Sequence, residues 1–147
     1  MSATSLAALA RTSDPQTVLR RFLALDAVVT GANGLAYLAV PGPLGRLLGV
    51  DSTLLLVLGA FLTLYAAAVG LLASRARPAA LPVRAVIEAN LGWTALSVVA
   101  LAVWLSPTTA GAVWTVLQAL TVAGFAGLQY AALKARQGSW DSQDISD

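Results

Sequence analysis

The sequence predicts an all-α protein: a transmembrane four-helix bundle, up-down-up-down, with both termini cytoplasmic. Three observations carry this expectation. The 147-residue chain is 58% hydrophobic and 11% charged, against about 45–50% apolar and about 25% charged for an average soluble domain. Its mean hydropathy is +0.76. The apolar residues gather into four segments separated by Pro, Gly and polar residues, each roughly 19–25 residues, enough to cross a hydrocarbon core of about 30 Å.

Residues 1–16 are small and polar and read as a cytoplasmic tail, with a short helix at 6–10. The membrane domain then covers 17–136. Asp14-Pro15 is a helix-start signal, because Asp caps free N–H groups and Pro needs none in the first turn. The first span, about 18–40, stops at Pro41-Gly42-Pro43. Its length, its Asp26 and Asn33 and the lack of a small-residue cleavage site make it a retained span and not a cleaved signal. The stretch Leu44–Val50 suggests a partial helical turn lying along the outer surface. The second span, about 53–73, has Asp51 or Ser52 as its N-cap. The third, about 83–105, follows the breakers Pro78 and Pro82, and the fourth, about 110–134, follows Ser106-Pro107-Thr108-Thr109. Residues 137–147 form an acidic tail.

Basic residues set the expected orientation. Arg11, Arg20, Arg21, Arg75, Arg77, Arg84, Lys134 and Arg136 fall on one side, and Arg46 falls alone on the other. By the positive-inside rule the crowded side is cytoplasmic, in a cell inner membrane. Tyr37, Trp104 and Trp114 then lie near the outer interface, as belt aromatics do. The formal charge of +2 reflects these loops and not nucleic-acid binding.

The chain has no Cys and no His, and its only Met is Met1. Thiol and disulfide chemistry, Cys-based zinc and iron–sulfur sites, His-ligated haem and His general bases are therefore excluded. No cofactor, no metal and no catalytic residue set is expected.

Polar residues are costly in a hydrocarbon core, so their placement is informative. In the first span Asp26, Thr30, Asn33 and Tyr37 recur at i, i+4, i+7 and i+11, one helical face. Asn90, Thr94 and Ser97 make a similar stripe in the third. Gln118 shares a face of the fourth with Thr115, Phe125 and Gln129. The second carries small residues at Gly59, Thr63, Ala66 and Gly70, suited to close helix contact. Four such stripes predict a bundle with these faces inward. Asp26, Glu88, Gln129 and Tyr130 all fall roughly 6–8 Å inside the cytoplasmic boundary at 1.5 Å rise per residue. They form the candidate polar cluster. Arg20, Arg21 and Arg84 lie just below as charge partners, and such pairing alone is a sufficient structural role for the two carboxylates. Interhelical hydrogen bonding is the corresponding role for Asn33, Asn90 and Gln118.

The segments RRFLALDAVVTGANGLAYL, GAFLTLYAAAVGLLASR, VRAVIEANLGWTALSVVAL and SPTTAGAVWTVLQALTVAGFAGLQY cover about residues 20–130. Together they resemble an uncharacterised group of small four-helix integral membrane proteins of actinobacteria, and in size and topology DoxX-type proteins. The resemblance implies a fold and a membrane location and no activity. Size and span number also resemble the small multidrug transporters, but their membrane Glu motif is missing from the first span, where Asp26 is at most an analogue.

Three functions remain open. The first is a non-enzymatic membrane component that associates with itself or with a membrane-complex partner, motivated by the small-residue stripe and thin loops. The second is a small, dimeric transporter or proton-coupled carrier using Asp26 and Glu88. The third is a lipid-binding or membrane-enzyme role at the Asp26/Glu88/Gln129 cluster.

Overall fold

The structure is a computed structural model that describes residues 14–103 and 106–146, with side chains through residue 138. The N-terminal tail through residue 13, including Arg11 and the expected short helix, lies outside the described residues, as does Trp104. Among the described residues there are five helices and no strand. They are α1 (Pro15–Ala39), α2 (Pro41–Leu48), α3 (Ser52–Ser74), α4 (Ala80–Val103) and α5 (Thr109–Ser146). Four of them, α1, α3, α4 and α5 up to Gly138, are long and apolar enough to cross a membrane. Short connections make successive spans run in opposite directions.

Local chemistry sets the boundaries. Asp14 caps α1, its side chain accepting from the Gln16 N–H at 3.3 Å, with Pro15 in the first turn. Asp51 caps α3 in the same way, accepting from the Thr53 N–H at 2.8 Å. After Pro41 the chain starts a new helix instead of a single turn, because Pro41 and Pro43 both sit in a first turn, where missing N–H groups cost nothing. Gly49, at φ 69°, ends α2 in the left-handed conformation.

Two boundaries differ from the sequence expectation. Pro82 is not a breaker: α4 begins at Ala80, so Pro82 falls within the first turn. The helix of the fourth span does not stop near Lys134, since α5 runs on to Ser146. That stretch holds no proline, and Gly138 alone is too weak a signal to end a helix.

The helices form a ring with one loose seam. α1 packs on α3, α4 on α5 and α1 on α5, whereas α3 and α4 scarcely touch. The tightest seam is α1–α3, where glycine lets the backbones meet. A methyl group on Gly34 would lie 2.7 Å from Thr63 Oγ1 and 3.0 Å from the Gly59 carbonyl oxygen; one on Gly59 would lie 2.9 Å from the Gly34 carbonyl oxygen. The small-residue stripe of α3 is therefore buried inside the bundle.

Buried apolar residues form one cluster at the basic end, including Leu19, Leu23, Val69, Val83 and Ala126, and a second around Tyr37, Leu55 and Leu62 at the opposite end. Large apolar side chains cover the outside, Leu64 at 73% exposure and Val103 at 82% among them. Water would not tolerate such a surface over four helices; it fits contact with a lipid bilayer. At the basic end Arg20 Nε donates to the Ala73 carbonyl at 3.0 Å, placing a cation at the negative end of α3. Arg136 Nη1 donates to the Pro78 carbonyl at 2.6 Å and to Gln16 Oε1 at 2.9 Å, tying α5 to the α3–α4 loop and to α1.

The glycine seam gives a clean stability test. Gly34→Ala is expected to destabilise the bundle by about 1–3 kcal/mol through overpacking. Gly124→Ala, where an added methyl meets nothing within 4 Å, is expected to be neutral or stabilising by up to about 1 kcal/mol. Reversible unfolding in mixed micelles reads both, and equal costs would refute the close approach.

Candidate functional site

Between the two apolar clusters lies a polar layer supplied by all four spans. Asp26 of α1, Asn90 of α4 and Gln129 of α5 are buried, with Asp26 only 1% exposed. Asp26 Oδ2 accepts from Asn90 Nδ2 and from Gln129 Nε2, both at 2.8 Å. Its Oδ1 accepts from Thr30 Oγ1, one turn along α1, at 3.0 Å. Asn90 Nδ2 donates a second bond to Gln129 Oε1 at 3.1 Å. Tyr65 of α3 completes the layer, its hydroxyl donating to Asn90 Oδ1 at 3.0 Å and lying 3.3 Å from the Val86 carbonyl. Among the described residues no buried side-chain polar atom lacks a partner.

Neutral donors alone hold the carboxylate. Arg20, placed by sequence as a charge partner, is engaged by the end of α3. Arg21 and Arg84 are exposed and lie outside the polar layer. Glu88 and Tyr130 are at the right depth and the wrong angle. Glu88 precedes Asn90 by two residues, about 200° around the helix, and Tyr130 follows Gln129 by about 100°. Both are exposed, and Tyr130 packs its ring under Lys134 Nζ, 5.9 Å away. The structure thus brings Asp26 and Gln129 together with Asn90, Thr30 and Tyr65, and it does not bring Glu88 or Tyr130 to them.

Nearer the opposite end, Tyr37 is also central. Its hydroxyl accepts from Trp114 Nε1 at 2.8 Å and from Gln118 Nε2 at 3.0 Å, joining α1 to α5. Trp114 therefore does more than anchor at an interface. Thr94 donates to the Asn90 carbonyl at 3.0 Å and lies 3.3 Å from the Ala119 carbonyl, in the α4–α5 seam. Ser97 is half-buried one turn further on.

A cavity of about 250 Å³ lies between these two polar groups. All four spans contribute walls, with Phe61, Trp93, Trp114 and Phe125 supplying aromatic surface and Thr30, Asn90 and Tyr65 forming part of a polar floor. Asn33 lines it as well. It is half-buried, and among the described residues its amide has no hydrogen bond. Every other amide side chain at this level has a partner. An amide left without one in an apolar setting is costly, so a ligand that meets it gains what the protein lacks. The cavity abuts the loose seam, where Phe61 stacks on Tyr65 and on Trp93 at 6.2 Å between ring centroids.

Tyr65, Phe61 and Trp93 carried no signal as site residues in the sequence. An aromatic residue in an apolar helix reads as packing, and only the juxtaposition of α3 and α4 gives these rings a shared cavity. No family model, no curated protein and no solved structure matches the chain; nothing there identifies the actinobacterial or DoxX-like type.

The polar layer and the free amide separate by mutation. Asn90→Leu should cost about 2–3 kcal/mol, because it strips donors from a buried carboxylate. Asn33→Leu removes no bond and should leave stability unchanged or raise it by up to about 1–2 kcal/mol, as the unpartnered amide is relieved. Detergent unfolding midpoints measure the pair, and an Asn33 variant as damaged as the Asn90 variant would show that Asn33 is structural.

Proposed function

We propose that this multi-pass membrane protein binds a small membrane-dissolved molecule in the cavity between its spans. The ligand is apolar over most of its surface and carries one group able to hydrogen-bond an amide. The observation that carries the reading is the unpartnered Asn33 amide in an aromatic-walled cavity of about 250 Å³. Ligand pockets are commonly apolar and aromatic, with a few placed polar groups that fix orientation. The volume lies near the small end of such sites, which favours a compact molecule over a whole phospholipid. Entry is sideways from the bilayer, through the α3–α4 seam, where rings and not backbone contacts close the bundle.

Two other sequence readings have less support. The stripe that motivated self-association packs against α1. The paired carboxylates that motivated a proton-coupled carrier are apart, with Asp26 buried and Glu88 on the outer surface. Placement in a cell inner membrane with both termini cytoplasmic is part of this proposal. The gathering of Arg20, Arg21, Arg75, Arg77 and Arg84 at one end supports it.

The test is mass spectrometry of small molecules retained by the protein extracted with native lipid. Wild type is expected to retain one class of compact apolar molecule. Ala89→Trp, which places a large ring at the cavity wall, should lose it. Asn33→Leu should weaken it about five- to tenfold, the worth of one hydrogen bond. Equal retention by wild type and Ala89→Trp, or no retained molecule in any preparation, would sink the reading.

A further inference from the structure

The α3–α4 seam holds a second hollow, at the basic end. It is a groove of about 380 Å³. Ala68, Leu71 and Leu72 of α3 form one wall, Pro82 and Ala85 of α4 the other, and Arg75 lies at its mouth. Tyr65 borders both this groove and the cavity, so its ring is the partition between them.

Three facts decide what fits here. The walls are apolar, and Pro82 offers no backbone N–H, so a peptide would leave its polar groups unmet. The rim faces outward, with Leu71 at 66% exposure and Ala68, Pro82 and Ala85 exposed, so the groove is open to whatever surrounds the spans. Arg75 follows the last residue of α3, where a span meets the headgroup region. Its side chain is exposed, and among the described residues it has no hydrogen bond or ion pair. Arg20 and Arg136, at the same end, bond to carbonyls of the fold.

We propose that this groove is a binding site for one anionic phospholipid, its acyl chain between α3 and α4 and its phosphate against Arg75. The chain supplies apolar surface where the helices fail to meet, and the headgroup supplies the anion that Arg75 lacks. An anionic membrane surface favours such a pairing by about 1 kcal/mol per interfacial basic residue. This site is separate from the cavity beyond Tyr65 and does not depend on what that cavity holds.

The test is native mass spectrometry of the full chain released from micelles containing equal phosphatidylglycerol and phosphatidylcholine. Wild type should retain one phosphatidylglycerol in preference to phosphatidylcholine. Arg75→Gln should lower that retention about fivefold and erase the preference, with helicity unchanged. Arg77→Gln, next along the loop and outside the groove, should change it less than twofold. Ala68→Trp, which fills the groove, should reduce retention of both lipids. Excess inorganic phosphate should not displace the lipid. Equal losses in the two arginine variants would show diffuse surface charge instead of a site. Displacement by phosphate, undiminished retention in Ala68→Trp, or a lipid-free dimer burying the seam would each overturn the proposal. Because Arg75→Gln leaves the cavity intact, its outcome is independent of the small-molecule retention test.

Discussion

A carboxylate inside a membrane-spanning bundle can persist only if other helices bring donors to it, and that constraint organises this protein. Asp26 cannot satisfy itself from α1 beyond the Thr30 hydroxyl. Asn90 and Gln129 must arrive on α4 and α5, and Tyr65 must then meet the far side of Asn90 from α3. Each bond fixes the rotation of one helix about its axis, because a turn of 100° exchanges a buried residue for an outward one. Apolar packing is much less selective in this environment, since lipid is as good a partner for Leu as another helix is. The polar layer therefore sets which faces point inward, and the close contacts of the other layers follow from it.

The sequence shows this arrangement as far as periodicity can show it. Polar residues at i, i+4 and i+7 in α1 and α4 identify inward faces, because nothing else justifies their cost in hydrocarbon. Span number was legible from length and hydropathy, and the starts of α1 and α3 from Asp14 and Asp51. Depth was a poorer guide than angle. Glu88 and Tyr130 lie level with Asp26 yet point away, which the 200° and 100° offsets from Asn90 and Gln129 already imply. Pro82 looked like a terminator because a proline's position within a helix depends on where the helix starts, and Ala80 gave no cap signal of its own. Tyr65 and the cavity were not legible, because both depend on how far apart α3 and α4 stand, and no local pattern encodes that distance.

That distance has a physical origin in the four seams. In α1–α3 the glycines at 34 and 59 let backbones approach to van der Waals contact. In α4–α5 the buried Ala119, whose carbonyl lies 3.3 Å from Thr94 Oγ1, does similar work. In α1–α5 side chains reach across, through Asp26 to Gln129 and Tyr37 to Trp114 and Gln118. The α3–α4 seam has none of these. Its specific contacts are the Phe61–Trp93 stack and the Tyr65 hydroxyl, with Val69 of α3 and Val83 and Val86 of α4 sharing the apolar cluster at the basic end. Rings stacked at 6.2 Å between centroids hold two helices further apart than glycine or alanine does, and the space left beside them is the cavity on one side and the groove on the other.

The same asymmetry says where the bundle can open. Parting α1 from α3 would expose a glycine contact that no lipid chain can fill as well. Parting α1 or α4 from α5 would strip donors from Asp26 or break the Thr94 contact. Parting α3 from α4 breaks the hydroxyl contacts of Tyr65 as its side-chain hydrogen bonds, and the ring and valine surfaces released there meet lipid of similar polarity. The least costly motion is therefore movement of α3 away from α4 with α1, α4 and α5 held by the Asp26 layer. A molecule entering by that route passes Phe61 and Trp93 and reaches Asn33 at the cost of the Tyr65–Asn90 bond, while the Asp26 bonds to Asn90 and Gln129 stay in place. Binding and stability can then reside in one polar stripe of α1, with Asp26 serving the second and Asn33, two turns further on, serving the first.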